Sequence, residues 1–185
     1  MAVVVDGFRP EDTEAVLALS RRAWEPVMAG MRSAVPAFVY DSFYPDGWWQ
    51  RQRADVAALL DEEPDAVLVA RDTGAGGTNS DGAISGGAGS GRTDVGTVVG
   101  FASTRVHPED SMGELYILAV DPDHQRRGIA RLLMDAAHDR IRDAGMRMVL
   151  VETGADPGHA GSRAIYEAAG YQRWPVARYF LDLEA

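Results

Sequence analysis

Glu114-Leu115-Tyr116-Ile117-Leu118-Ala119-Val120-Asp121-Pro122-Asp123-His124-Gln125-Arg126-Arg127-Gly128-Ile129-Ala130-Arg131-Leu132-Leu133 is the stretch that decides the fold. Leu115 to Val120 is an unbroken apolar run and reads as a buried strand. Asp121-Pro122-Asp123 stops it with turn chemistry. From Ile129 the period changes, with apolar residues at Leu132, Leu133, Ala136, Ala137 and Ile141. That spacing is the core stripe of an amphipathic helix. The turn between them carries Gln125-Arg126-Arg127-Gly128-Ile129-Ala130. A helix N-terminus exposes unpaired backbone N–H groups and the positive end of the dipole, which together suit a phosphate. Gly128 lets the backbone approach an anion closely, and the arginines raise the local positive potential. An ordinary strand-to-helix turn with solvated arginines is the bland alternative.

The pattern Gln125-x-x-Gly128-x-Ala130, following Leu118-Ala119-Val120-Asp121-Pro122 and opening a helix, resembles the acyl-CoA pyrophosphate loop of the GNAT superfamily of N-acetyltransferases. Downstream, Arg163-Ala164-Ile165-Tyr166-Glu167-Ala168-Ala169-Gly170-Tyr171 is similar to a second segment of that family. The likeness is close over residues 95–183 and holds only in outline over the first 70. It implies an α/β (α+β) single-domain fold. Its mixed, mostly antiparallel sheet would have six to seven strands, about four flanking helices and a splayed central strand pair.

Length and composition agree with one globular domain over 1–185: the hydrophobic share is 46% and the charged share 25%. No apolar run of about 18 residues occurs, so no membrane span is expected. The start, Met-Ala-Val-Val-Val-Asp, lacks the basic and long apolar regions of a signal peptide. The absence of cysteine excludes disulfides and thiol catalysis and suits a cytoplasmic location. Net charge is −10, and all 18 basic residues are arginine. Such a chain is a poor nucleic-acid binder, which needs a positive footprint. It would draw a cationic substrate weakly at long range, although the same charge serves solubility.

Residues 2–8 read as a strand, and Arg9-Pro10-Glu11-Asp12 opens a helix expected to end at Pro26. An aromatic region follows, with Phe38, Tyr40, Phe43, Tyr44, Trp48 and Trp49, and a second helix is expected over 47–60. Strands are expected over 65–71, 95–106, 146–152 and 178–183, with a short helix over 160–169. Thr73 to Gly91 holds eight glycines and no aromatic residue, so 73–94 is expected to be a flexible inserted loop. Its glycines lack the Lys-Ser/Thr pair of a nucleotide-binding loop.

The resemblance implies an enzyme that transfers an acetyl group from acetyl-CoA to a primary amine by direct attack in a ternary complex. It assigns the pantetheine to the backbone of Leu118, Ala119 and Val120. The pyrophosphate falls to Gln125, Arg126, Arg127, Gly128, Ile129, Ala130 and Arg131. Tyr166 matches the family's general acid, and an ordinary phenol pKa near ~10 keeps it protonated for donation to a thiolate. Seven residues earlier, where many members carry a CoA-contacting asparagine, stands His159. Glu114 is the expected base: by period two it shares a face with Tyr116, Leu118 and Val120. Glu152 comes second and His107 third, and some members use water alone. Acceptor contacts are expected from Trp24, Tyr40, Phe43, Tyr44, Tyr116 and Glu152, by apolar or cation–π contact, with core packing as the alternative for each ring. No metal is expected, since His107, His124, His138 and His159 lack ligand spacing.

The expected partner is a small-molecule amine, with no nucleic acid and no membrane. A homodimer would follow the habit of relatives, though no residue pattern marks an interface. Three readings stand beside this one: a protein N-terminal or lysine acetyltransferase, a catalytically silent acyl-CoA sensor, and an enzyme using another acyl donor.

Overall fold

The computed structural model describes residues 2–74 and 96–184. Five strands pair in sequence order into one sheet: β1 Val3–Gly7, β2 Val67–Asp72, β3 Thr97–His107, β4 Met112–Val120 and β5 Met148–Leu150. The first three pairings are antiparallel and β4–β5 is parallel. Five α-helices flank it: α1 Thr13–Ala34, α2 Ala37–Phe43, α3 Trp48–Glu62, α4 Ile129–Asp143 and α5 Ala160–Ala168. The glycine-rich loop expected over 73–94 lies, after Gly74, outside the described residues.

Alternation along the strands splits the core into two layers. On one face Val67, Val69, Phe101 and Ala119 meet Val16 and Leu19 of α1 and Val56, Leu59 and Leu60 of α3. On the other, Leu68, Val99, Leu115 and Val120 meet Ile129, Leu133, Met134 and Ala137 of α4. The periodic stripe read from Ile129 onward is the face that α4 buries. Gly100 sits where α4 presses on the sheet: a Cβ there would stand 3.0 Å from both Ala119 O and Leu133 Cδ1. That is the close approach expected of a strand glycine.

Four expectations need correction. The sheet has five strands among the described residues rather than six to seven. No strand forms over 178–183, where Tyr179, Leu181 and Leu183 are exposed. A β-rich pattern makes a strand only when an edge receives it. β5 is confined to three residues instead of spanning 146–152. Finally, α1 runs straight through Pro26 to Ala34. The missing proline N–H forfeits one bond to the preceding turn, but the second half of α1 is held by tertiary contact. Met28 is buried, and Gly30 abuts Gly158 so closely that a Cβ would lie 2.8 Å from its Cα.

A buried ion pair ties the first helical turn to the sheet. Arg71 of β2 and Asp12 are 3% and 4% exposed, and the guanidinium donates to both carboxylate oxygens at 2.5 and 2.6 Å. Asp12 also accepts from the Arg9 N–H at 2.8 Å.

Candidate active site

β4 and β5 pair only through Met112–Met148, Gly113–Val149 and Glu114–Leu150, and then part. From Leu115 to Val120 the outer edge of β4 is therefore open. At the end of the strand the Asp121 N–H donates to Val99 O at 3.0 Å. Alternation then turns the backbone groups of Ala119 toward β3 and those of Leu118 and Val120 toward the opening. Val120 O already accepts from the Gln125 amide at 3.2 Å. Leu118 N–H and C=O and Val120 N–H face the edge that β5 does not cover. Ala119, expected to share that task, belongs to the β3 ladder and the α1/α3 core.

The opening leads to the N-terminus of α4. Gly128 caps this helix at φ +82°, and Arg126 also takes a left-handed conformation at φ +62°. Left-handed residues in alternation curl successive N–H groups into an anion-binding concavity. A Cβ on Gly128 would meet nothing within 4 Å, so the space in front of the turn is clear. Arg126 and Arg127 are exposed at its rim. Arg131 is engaged with Asp135 at 2.8 Å, one turn along the exposed face. The turn is braced from behind: the buried Asp121 carboxylate accepts from the Asp123 N–H at 3.0 Å and is salt-bridged by Arg22 of α1.

Tyr166 of α5 packs into the α4-side core with Leu118, Val149 and Val151. Burial pushes its phenol pKa up to about 12, so it stays protonated throughout the neutral range. Tyr171 lies beside it, ring centroids 5.7 Å apart, and its hydroxyl meets His138 Nε2 at 2.6 Å. A neutral phenol thus packs on the same core layer as Leu118 of β4.

The expected alignment of Glu114 does not hold. Ser103 pairs with Ile117 but Thr104 pairs with Leu115, so Tyr116 is a bulge residue. The bulge flips the parity of everything before it. Leu115, Leu118 and Val120 all face α4, while Glu114 points to the α1/α3 side. There its carboxylate meets His107 Nε2 at 3.1 Å. Tyr116 is 41% exposed, with the Arg105 guanidinium 3.5 Å from its ring centroid. Arg105 is held in turn by Glu63 at 3.2 Å.

The acceptor residues divide. Trp24 packs on Phe101 within the core, and Tyr40 is buried, so packing explains both. Phe43 is exposed, and Phe180 meets it edge-on at 6.0 Å. Tyr44 shares the Arg51 guanidinium with Phe43. Glu152 is exposed and faces Arg178 at 3.6 Å. Asp156 was not singled out from the sequence, yet it holds His159 Nδ1 at 2.7 Å. Its place three residues before a histidine at a helix start was the available signal.

A mostly antiparallel sheet whose one parallel pair opens beside a glycine-capped helix is the architecture of an N-acetyltransferase domain. Residues 38–171 match the acetyltransferase (GNAT) family model, and the chain belongs to that family. Over 131 residues it is 31% identical to a mycothiol acetyltransferase of Pseudarthrobacter chlorophenolicus, covering 67% of this chain and 33% of that one. The mycothiol acetyltransferase of Kocuria rhizophila is 34% identical over 87 residues, with 45% and 28% covered. The chain thus spans a third or less of the length of these curated relatives. The PaiA N-acetyltransferase of Thermoplasma acidophilum, solved in complex with coenzyme A, superposes with a TM-score of 0.59 at 16% identity. That superposition covers 91% of this chain and 89% of that one, a likeness of fold. Among the described residues, no helix is long and apolar enough to cross a membrane.

Proposed function

We propose that the chain works as one N-acetyltransferase domain over 1–185 that moves an acetyl group from acetyl-CoA to the primary amine of a small molecule. The observation that carries this reading is the open edge of β4 beside the curled, glycine-capped start of α4, with the half-buried Tyr166 packed on the same core layer as Leu118. Pyrophosphate fits the N–H groups of residues 126–131, with Arg126 and Arg127 at the rim. Pantetheine amides pair with Leu118 and Val120 on the edge of β4 that β5 leaves open. Acetyl-CoA supplies an activated carbonyl and a thiolate leaving group. Tyr166 supplies the thiolate's proton, its raised pKa keeping it in the protonated form that can donate.

The acceptor enters from the α1/α3 side, between the exposed ring of Phe43, the half-buried ring of Tyr44 and the bulged Tyr116. Glu114, tied to His107 on that side, draws an ammonium in by charge. The overall charge of −10 acts in the same direction at longer range. The names of the relatives, mycothiol acetyltransferases, favour a small molecule over a protein terminus.

Thiol release from acetyl-CoA in the presence of an amine panel tests the activity. Catalytic turnover with a small amine supports the reading, and binding without turnover on any amine would make the protein a sensor. Tyr166→Phe is expected to lower kcat by about 10²-fold, the usual worth of a positioned acid, with acetyl-CoA affinity unchanged. Because the phenol pKa is raised, wild-type activity should show no alkaline loss from Tyr166 ionisation up to about pH 10. Glu114→Gln is expected to raise KM for a cationic amine severalfold and leave kcat in place, the mark of a residue used in binding alone.

A further inference from the structure

Asp121 is a carboxylate that the fold keeps inside, between the end of β4 and the turn that opens α4. Its side chain is 3% exposed, so it needs donors and an opposite charge within reach. Oδ1 accepts from the Asp123 N–H at 3.0 Å, and His124 Nδ1 stands 3.5 Å from the same oxygen. Oδ2 is taken by Arg22 of α1, 99 positions away in the chain. The other terminal nitrogen of Arg22 lies 3.5 Å from Asp123 Oδ2. Arg22 is thus held to both acids of the Asp121-Pro122-Asp123 turn. Its helix is seated on the sheet by Val16 and Leu19, which are buried in the α1/α3 core, and Arg22 follows Leu19 by three residues.

The same turn leads into the curled N–H groups of residues 126–131. Asp121 sets its shape: the bond from the Asp123 N–H caps the 3-10 turn Pro122–His124, and the His124 N–H closes that turn on Asp121 O at 2.8 Å. Gln125, next in the chain, is tied back to Val120 O, and the left-handed Arg126 follows. The two acids that build the turn also place negative charge just ahead of groups that should receive a pyrophosphate. A carboxylate shielded from water acts over a longer range than one in solution. Left without a cation, Asp121 would oppose the anion that the N–H groups attract. Arg22 offsets that charge without entering the site, since both of its terminal nitrogens meet protein carboxylates.

We propose that Arg22 is a positioning residue of the acetyl-CoA site: paired with Asp121 and Asp123, it cancels their charge and so lets the turn accept pyrophosphate. This rests on the acetyltransferase reading above. A plain brace and a charge partner differ in what repairs their loss. A brace is repaired by any side chain that can hydrogen-bond Asp121. A charge partner is repaired by another cation, or by removing the carboxylate charge as well. Asp121→Asn removes that charge and keeps an oxygen for the Asp123 N–H, since asparagine caps a turn about as well as aspartate.

Calorimetric titration with acetyl-CoA near pH 7, on variants whose folding is checked by melting curves, makes the comparison. Arg22→Gln keeps a donor but no charge and should raise Kd about tenfold. Arg22→Lys should stay within about threefold of the wild type, because the cation remains. The double variant Arg22→Gln with Asp121→Asn should recover most of the loss, a coupling that independent sites do not show. Asp121→Asn alone should bind at least as tightly as the wild type, and this variant decides the matter if Arg22→Gln does not fold. Wild-type affinity in Arg22→Gln, a double variant no better than Arg22→Gln, or a tenfold weaker Asp121→Asn overturns the assignment and leaves the acetyltransferase reading intact. A wild-type protein that does not bind acetyl-CoA overturns both.

Discussion

Gly128→Glu is expected to abolish acetyl-CoA binding, raising Kd by at least about 100-fold, which is about 2.8 kcal/mol. Two effects add. Gly128 sits at φ +82°, where a side chain costs on the order of 1–2 kcal/mol of backbone strain. The new carboxylate would also stand at the mouth of the N–H groups that should face the pyrophosphate. Gly128→Ala separates them. Its Cβ meets nothing within 4 Å, so it carries the strain without the charge and should bind more weakly by about tenfold or less. Calorimetric titration of both variants with acetyl-CoA, beside melting curves, gives the comparison. Equal affinity in wild type and Gly128→Glu would remove the α4 start from the site.

Asp12→Ala is expected to be the most destabilising single change described here, by about 3–5 kcal/mol. The variant leaves the Arg71 guanidinium, 3% exposed, without its carboxylate. Burial is the largest influence on Asp12 and would raise its pKa, yet the hydrogen bonds from Arg71 and Arg9 and the Arg71 charge leave it lowered. A group whose folded pKa lies below its unfolded value stabilises the fold at pH above the unfolded pKa. That contribution is lost as pH falls through the folded pKa. Chemical denaturation between pH 7 and about pH 3 should therefore show an acid-dependent loss in the wild type that is smaller in Asp12→Asn. A double replacement, Asp12→Leu with Arg71→Met, should recover much of the loss, because the charge and its partner disappear together. Asp12→Ala melting like the wild type would show that the pair contributes nothing.

Some of this was legible in the residues and some was not, for physical reasons. The β4–turn–α4 unit was readable because the hydrophobic period changes within twenty residues, from continuous to helical, with a glycine between. The pairing partner of a strand is not a local property. Residues 178–183 carry strand-like chemistry, yet they stay outside the sheet, exposing Tyr179, Leu181 and Leu183. The bulge at Tyr116 sits inside an uninterrupted apolar run, so nothing in the pattern marks it. It nevertheless decides which face Glu114 takes, and the period-two expectation fails on that one inserted residue. Pro26 misled for a related reason. A local rule ends the helix, while the contact of Gly30 with Gly158, far along the chain, keeps it going. Asp12 and Arg71 find each other across 59 positions, as do few pairs that a motif could reveal.

The elements of the candidate site were half readable. The α4 start, the β4 edge and Tyr166 are local features of two motifs, and all three adjoin the α4-side core layer. The aromatic residues of the first third could not be sorted into core and surface by type. Trp24 and Tyr40 went to packing, and Phe43 and Tyr44 stayed at the surface layer. The Asp156–His159 pair needed a loop conformation that three glycines allow, which no residue-by-residue reading supplies.

A crystal structure of the acetyl-CoA complex tests the central claim most directly. The account predicts pyrophosphate oxygens within hydrogen-bond distance of the backbone N–H groups of residues 126–131. Pantetheine amides should pair with Leu118 and Val120, and the sulfur should lie beside the Tyr166 hydroxyl. Acetyl-CoA bound away from the β4–β5 opening, or β4 and β5 paired along their full length in the complex, would contradict it.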